Sequence, residues 1–388
     1  MARLTGELAR RYPAGTLLVS TGRFPGGTES DAGLASPVDR APIDSTRLRT
    51  IQGLVVWSHR LRQLARSFDP AFIWCGNLKP AGFPALWVRR REGIPYGILL
   101  HGSELLLLRQ RIAAMPRKRV AARMALRHAS VLVAVSDWTR RLSLEVLEEI
   151  GLEKSEVEVR TVPLGTDPQL FRPGLDTGVV RARYRLEPDA RWLLTVARLA
   201  AHKGIDTGLR TLAVLAGEYP NLRYAVVGTG VKQPQLEALA RDLGISERVR
   251  FLTSVPDADL PAIYNCAEIY LGLSRPAELL IEGFGIALTE ASASGIPVVG
   301  GLAGGIPDAV RDGETGLLVD STDLGRVIAS VRSILADPEL GCRLGRGGRQ
   351  AVETHFNWDR VTSDVRQIGE DFGGRVAADK RRPSQGTS

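Results

Sequence analysis

The sequence predicts an α/β protein made of two Rossmann-like domains, and three observations carry that expectation. Short apolar or β-branched runs alternate with stretches of helical periodicity along the chain, the pattern of parallel strand–helix units. A length of 388 residues is more than one hydrophobic core usually holds. The alternation also falls into two series, separated at 163–178 by "PLGTDPQLFRPGLDTG", whose Pro, Gly and Asp content reads as a hinge.

The opening "MARLTGELARRYP" alternates charged and apolar residues and reads as a helix. The expected strands of the first series are "GTLLVST" (15–21), "AFIWCG" (71–76), "YGILLHG" (96–102), "SVLVAVS" (130–136) and "VEVRTVP" (157–163). Those of the second are "RWLLTVAR" (191–198), "RYAVVGTG" (223–230), "VRFLTS" (249–254), "EIYLGLS" (268–274) and "PVVGG" (297–301). The expected organisation is an N-terminal domain over 1–165, a C-terminal domain over 170–356, and a return of 357–372 to the first domain. Residues 373–388 have the composition of a disordered tail. Open parallel sheets bind ligands at the carboxyl ends of their strands, so a cleft between the domains is the expected site.

With 44% hydrophobic and 24% charged residues, the composition is that of a globular protein. No apolar run reaches the roughly 18 residues of a membrane span, since "GILLHGSELLLL" is interrupted by His101 and Glu104. The N-terminus has no secretory apolar region, and a cytoplasmic protein is expected. Cys75, Cys266 and Cys342 form no CxxC pair and read as buried thiols. The net charge is +8, and residues 105–136 contain no acidic residue but include "RQRIAAMPRKRVAARMALRHA". Such a stretch suits an anionic membrane surface or a polyanionic ligand, or is a solvated helix face. No nucleic-acid recognition motif accompanies it.

Several residues stand just after strands. In "TVARLAAHKG", Arg198 and Lys203 could clamp a diphosphate, the first by bidentate contact and the second as a point charge. "VVGTGVKQ" begins like a dinucleotide fingerprint with Gly228 and Gly230, but Gln233 replaces the third glycine, so a tight strand-to-helix turn is expected. Asp257 and Asp259 of "PDADL" precede a helical stretch and are expected to cap it, not to bind metal. His101 closes the strand before "GSEL". "IEGFGIALTEASASG" is the most specific signal: Gly283 and Gly285 permit close backbone approach, and a helix beginning near Phe284 would aim N–H groups at an anion. Glu282 and Glu290 lie at most roughly 12 Å apart along such a helix, which suits one extended ligand held at both ends.

These pieces, with "VSDWTRR", "VPLGTD", "FLTSVPDADLPAIYNCAEIYL", "GGIPDAV" and "DGETGLLV", resemble retaining glycosyltransferase family 4 over about residues 96 to 320. The branch that contains phosphatidylinositol mannosyltransferases is the most similar. The resemblance implies a GT-B fold and transfer of a hexosyl group from a GDP- or UDP-sugar to a lipid-linked or saccharide acceptor. No metal or other cofactor is expected, and the basic stretch adds the expectation of a cytoplasmic enzyme peripheral on the inner face of the cell membrane. By the same resemblance Arg198 and Lys203 hold the donor diphosphate, and Glu290 receives hydrogen bonds from the ribose. Glu282, with the backbone of Gly283, Phe284 and Gly285, holds the donor sugar and its phosphate. His101 lies at the sugar, Gly228 in the donor site, and Ser254 and Val255 at the base. "FNWDRVTSDVRQIGEDF" resembles the family's final helix, which returns to the first domain.

Family members open with a strand and a glycine loop before the first helix. Here the first helix comes at once and "FPGG" (24–27) follows the strand 15–21, so the family's first strand and loop are expected to be missing. Two other readings fit part of the pattern: a GT-B-fold sugar-nucleotide epimerase, and a non-catalytic nucleotide-sugar or membrane-surface binding protein.

Overall fold

The structure, a computed structural model, describes residues 2–27, 31 and 34–381. It divides into two compact units, Met1–Val162 with Asp359–Ser388, and Pro163–Trp358.

The first unit opens with α1 (Ala2–Arg11), β1 (Val19–Arg23), β2 (Val38–Asp44) and α2 (Ile51–Phe68). There follow β3 (Ile73–Cys75), α3 (Gly82–Glu92), β4 (Tyr96–Leu100), α4 (Ser103–Ala114), α5 (Pro116–Arg127), β5 (Val131–Ala134), α6 (Asp137–Glu149) and β6 (Glu158–Thr161). The strands form two parallel sheets, β1-β2 and β3-β4-β5-β6. Every residue of β4 and β5 is buried, which is why both are unbroken apolar runs without alternation. Local chemistry sets the helix ends. Thr50 caps α2 by accepting the Gly53 N–H, Ser136 caps α6 by accepting that of Thr139, and α3 stops at Gly93 with φ 73°.

Among the described residues no strand precedes α1, and β1 belongs to the small sheet. The pattern reading missed β2, whose sequence VDRAPID carries Pro42 and three charges, the marks of an edge strand. Arg40 fastens it. Its guanidinium donates to the Asp31 carboxylate at 2.9 and 2.8 Å and to the carbonyls of Gly22 and Gly27 at 3.1 and 2.7 Å.

The second unit contains α7 (Gly178–Tyr184), β7 (Arg191–Val196), α8 (Ile205–Leu215), β8 (Leu222–Val227), α9 (Gln233–Asp242) and β9 (Val249–Leu252). It continues with α10 (Leu260–Asn265), β10 (Ile269–Gly272), α11 (Ile286–Ala293), β11 (Val298–Gly301), α12 (Ile306–Ala309), β12 (Leu317–Val319), α13 (Leu324–Ala336) and α14 (Pro338–Thr354). All six strands are parallel, in the order β12-β11-β10-β7-β8-β9. Counted from β7 this is the doubly wound order 3-2-1-4-5-6, whose direction reverses between β7 and β10. Leu193, Leu209, Tyr224, Ile269, Leu271 and Val299 are central to the core beneath it. The short β12 was not expected either.

The last helix, α15 (Trp358–Arg381), belongs to the first unit from Asp359 onward. Phe372 on it stacks 6.3 Å from Phe72. The expected tail starts too early, because this helix runs through residue 373 to Arg381; residues 382–388 lie outside the described ones. Cys75 and Cys266 are buried as expected, whereas Cys342 is exposed, because α14 turns Gly341, Leu344, Gly345 and Gly348 inward. Asp257 and Asp259 form a 3-10 turn and make no side-chain cap. Asp259 instead accepts from the Tyr184 hydroxyl and from Arg183, both at 2.6 Å, and these partners hold its carboxyl below the usual range. No cluster of three metal-ligating side chains exists among the described residues.

Candidate active site

In the second unit the turns leaving β7, β8, β10 and β11 meet at the carboxyl side of the sheet. Arg198 stands exposed just beyond β7, and Lys203 ends a 3-10 turn over Ala201–Lys203. Gly204 follows with φ 66°, and a Cβ there would lie 1.9 Å from the Leu273 carbonyl oxygen. Only glycine lets the β7 exit pass beneath the β10 exit at this point. Arg275 ties the two together: its N–H donates to His202 O at 2.8 Å, and its guanidinium donates to the Asp206 carboxylate at 2.8 and 2.7 Å and to Thr207 at 2.9 Å. The sequence offered Arg275 only as a cation after a strand, which is why it was not singled out.

The β8 exit packs against the β7 exit. Gly228 has φ 133° and a Cβ would lie 2.0 Å from Ala197 O, while one on Gly230 would lie 2.3 Å from Leu199 O. Leu199 N–H donates to Thr229 O at 2.9 Å and Lys232 N–H to Leu199 O at 3.0 Å. With α9 starting at Gln233, the stretch is the tight strand-to-helix turn expected.

The β10 exit carries the glutamate–glycine element. Lys203 Nζ donates to Glu282 Oε2, an ion pair whose side chains are 16% and 22% exposed. Glu282 O accepts the Gly305 N–H at 2.9 Å, and a Cβ on Gly304 would lie 2.2 Å from that same oxygen, so the β11 exit braces the glutamate from behind. Phe284 is buried, its ring 5.8 Å from that of Phe356. Gly285, φ 98°, is the N-cap of α11, which starts two residues later than Phe284 would have set it and leaves Glu282 and Gly283 on the loop. Glu290, inside α11, is 1% exposed and its Oε2 accepts from the Tyr264 hydroxyl at 2.7 Å. Ser254 and Val255 follow the edge strand β9, with Ser254 exposed. His202, 2% exposed, has no hydrogen-bond partner at Nδ1 among the described residues. Burial, and then the Lys203 charge, hold its imidazole below the usual range.

In the first unit His101 follows β4 directly, with Nε2 3.1 Å from Gly76 O. Burial pushes its imidazole down to about 4, so it is neutral at physiological pH. The contact with a carbonyl assigns the proton to Nε2 and leaves Nδ1 as an acceptor. The His101 N–H donates to Glu104, whose carboxyl burial pushes up. The basic stretch forms α4 and α5, and exposed Met115, Val120 and Met124 are interleaved with exposed Arg117, Lys118, Arg119 and Arg123. No helix among the described residues is long and apolar enough to cross a membrane.

The sequence matches Glycosyltransferase Family 4 over residues 1–170 and Glycosyl transferases group 1 over residues 178–351. It is 31% identical over 357 residues to the GDP-mannose-dependent alpha-(1-6)-phosphatidylinositol monomannoside mannosyltransferase of Mycolicibacterium smegmatis, covering 91% of this chain and 89% of that protein. It is 32% identical over 281 residues to the D-inositol 3-phosphate glycosyltransferase of Acidothermus cellulolyticus, covering 70% and 60% of the two chains. Among solved structures, Anabaena HepE in complex with UDP-glucose superposes with a TM-score of 0.74 at 19% identity over 95% of each chain. Sucrose-phosphate synthase from Thermosynechococcus elongatus gives 0.72 at 21% identity, over 96% of this chain and 92% of that one. These two likenesses concern the fold, which is GT-B. Two Rossmann-like units, the paired family matches and a relative similar along most of its length lead to one conclusion: the chain belongs to the group 1 and family 4 glycosyltransferases and is a hexosyltransferase.

Proposed function

We propose that the chain transfers a mannosyl group, with retention, from GDP-mannose to a lipid-linked inositol-type acceptor at the cytoplasmic surface of an anionic membrane. The observation that carries the donor half is the Lys203–Glu282 pair, on the turns that leave β7 and β10, where the sheet order reverses. A crevice at such a reversal is where doubly wound sheets bind nucleotides. The choice of mannose and of a lipid acceptor draws support from the mycobacterial relative.

As the bond from the anomeric carbon to the phosphate oxygen breaks, negative charge grows on the diphosphate. Lys203 and Arg198 stabilise that charge, and the N–H groups at the start of α11 add a positive dipole end. Glu282, fixed by Lys203 at its carboxylate and by Gly305 at its backbone, receives hydrogen bonds from the sugar hydroxyls, with Gly283 and Phe284 lending backbone groups. Glu290 receives the ribose. The base reaches Ser254 and Val255 past Gly228, two strand spacings or about 10 Å from β7. In the first unit, His101 Nδ1 is an acceptor for a hydroxyl hydrogen bond. The acceptor hydroxyl attacks from the face the diphosphate leaves, and its proton passes to the departing phosphate oxygen, so no carboxylate nucleophile is required.

The test measures mannosyl transfer from GDP-mannose to phosphatidylinositol vesicles, with UDP-glucose as the competing donor. Lys203→Ala is expected to lower kcat by about 10²- to 10³-fold, the loss typical of one charge-stabilising group, with the circular dichroism spectrum unchanged. Near-normal transfer by the variant refutes the assignment, and sugar-nucleotide turnover that needs no acceptor supports the epimerase reading instead.

A further inference from the structure

His202 has no part in the donor contacts proposed above, yet it lies among the groups that make them. It occupies the middle of the 3-10 turn Ala201–Lys203, four residues after Arg198 and directly before Lys203. The residue is 2% exposed, and its carbonyl accepts the Arg275 N–H at 2.8 Å, which fixes the backbone beneath the ring. Nδ1 is buried and has no hydrogen-bond partner among the described residues. An unpaired buried nitrogen carries a desolvation penalty that a leucine in the same place would avoid. A polar ring held against that penalty beside Lys203 calls for a partner or a proton that arrives with the ligand.

The surrounding charges favour the proton. The groups that act on the ring are Lys203, Glu282 and Arg198, in that order, two cations against one anion. Together with burial they keep the imidazole neutral. The other ionisable groups of the neighbouring turns leave this balance as it is. Arg275 and Asp206 pair with each other at 2.8 and 2.7 Å, and Glu290 accepts from the Tyr264 hydroxyl at 2.7 Å. Glu278 on the β10 exit is exposed, the β8 exit over 228–232 carries only Lys232, and the β11 exit over 302–305 has no ionisable residue. A nucleotide sugar adds two negative charges, one on each phosphate. Set between Arg198 and Lys203, they turn the balance around the ring to three anions against two cations. They also draw on the Lys203 ammonium that pairs with Glu282. Nearby negative charge favours the charged form of an imidazole.

We propose that His202 is a positioning residue for the Lys203–Glu282 pair: it takes up one proton from solvent as the donor's diphosphate binds, and its imidazolium becomes a second counter-ion of Glu282. This role rests on the donor reading above and adds a residue to it. The proton goes to the unprotonated ring nitrogen, no bond to the substrate is made, and the proton returns to solvent when the nucleoside diphosphate leaves. Glu282 thereby keeps a fixed carboxylate for the sugar hydroxyls while Lys203 is shared with the phosphate. As the bond to the anomeric carbon breaks, the added charge also offsets the negative charge that grows on the leaving diphosphate.

Titration calorimetry of GDP-mannose without acceptor, in two buffers of different ionisation heat, counts the protons. Both phosphates of this donor are diesters with no ionisation near neutral pH, so any uptake belongs to the protein. Roughly half a proton or more per donor is expected at pH 6.5, and Kd is expected to fall about three- to tenfold from pH 8 to pH 6. His202→Gln and His202→Asn are expected to abolish the uptake and flatten the pH profile, whereas a merely structural role would weaken binding equally at every pH. His101→Gln is expected to keep both. Equal heats in the two buffers for the wild type overturn the proposal without any variant, and so does uptake that persists in His202→Gln. Uptake with UDP-glucose in place of GDP-mannose corrects the donor and supports the role of His202. Binding of neither donor overturns both readings.

Discussion

Single residues of the candidate site stand out in the sequence where chemistry and position coincide. Arg198, Lys203, Glu282 and His101 all follow strands, and the glycines between Glu282 and Glu290 have no use in a plain helix. Arg275 and His202 were not legible, since their roles depend on contacts across two turns that only the folded chain makes. Gly204 gives the most direct residue-scale prediction. With φ 66° and a backbone oxygen 1.9 Å from where its Cβ would be, Gly204→Ala has no flexible neighbour to displace. The expected loss is at least about 2 kcal/mol, read by urea titration, while Gly217→Ala, with nothing within 4 Å, serves as a silent control. A loss no larger than the control's removes the steric account. His101 predicts a pH effect. Its imidazole takes up a proton near 6.5 when unfolded and near 4 when folded, so between those values the unfolded chain binds more protons. Its contribution is fully present above pH 6.5 and is lost as the pH falls toward 4. Glu104, pushed up by burial, works in the opposite sense, so the comparison must be with a variant. His101→Gln is expected to lose less stability than the wild type over that interval, by up to about 3 kcal/mol; parallel curves for the two proteins contradict the burial argument.

At the scale of elements, the strands buried on both faces, such as β4 and β5, announce themselves as apolar runs, while β2 and β12 do not. β2 owes its place to Arg40 and not to a pattern, and β12 has only three residues to show one. The helix α5 was legible as a basic stretch suited to an anionic surface, but which of its residues face outward was not. Its buried positions are Ala122, Ala125 and Leu126, which leaves Val120 and Met124 outward beside Arg117, Lys118 and Arg123. Exposed apolar side chains among cations are the composition of a segment that lies on an anionic bilayer. Each such cation contributes about 1 kcal/mol at that surface. Replacing Arg117, Lys118 and Arg123 by Gln is therefore expected to lower co-sedimentation with phosphatidylinositol vesicles on the order of a hundredfold, with transfer to a detergent-free soluble acceptor unchanged. The wild-type binding should weaken as salt rises from 50 to 500 mM, about a threefold shortening of the screening length. Binding that ignores both the salt and the three substitutions leaves α5 an ordinary solvated helix.

For the whole molecule, the two units use one winding rule to different extents. The second completes it, and its reversal point lies where Lys203 and Glu282 meet. The first, among the described residues, has two smaller parallel sheets, β1-β2 and β3-β4-β5-β6, with no such reversal. The turns of the proposed donor side were legible in the sequence because each follows a strand that the pattern reveals. The proposed place of the nucleotide follows the same division. If the second unit alone supplies the groups for diphosphate, ribose and base, then GDP without its sugar must bind there. At a hundred times its dissociation constant, GDP is expected to stabilise the protein by about 2.7 kcal/mol. Hydrogen exchange should slow in 198–204, 228–232 and 282–290, the turns joined by the Leu199, Lys232 and Glu282 contacts. Strands β4 and β5 of the first unit should exchange as before, since none of their groups is asked to touch the nucleotide. Protection centred on 76–79 and 101–104 instead would move the diphosphate to the first unit and leave Lys203 and Glu282 as a structural ion pair.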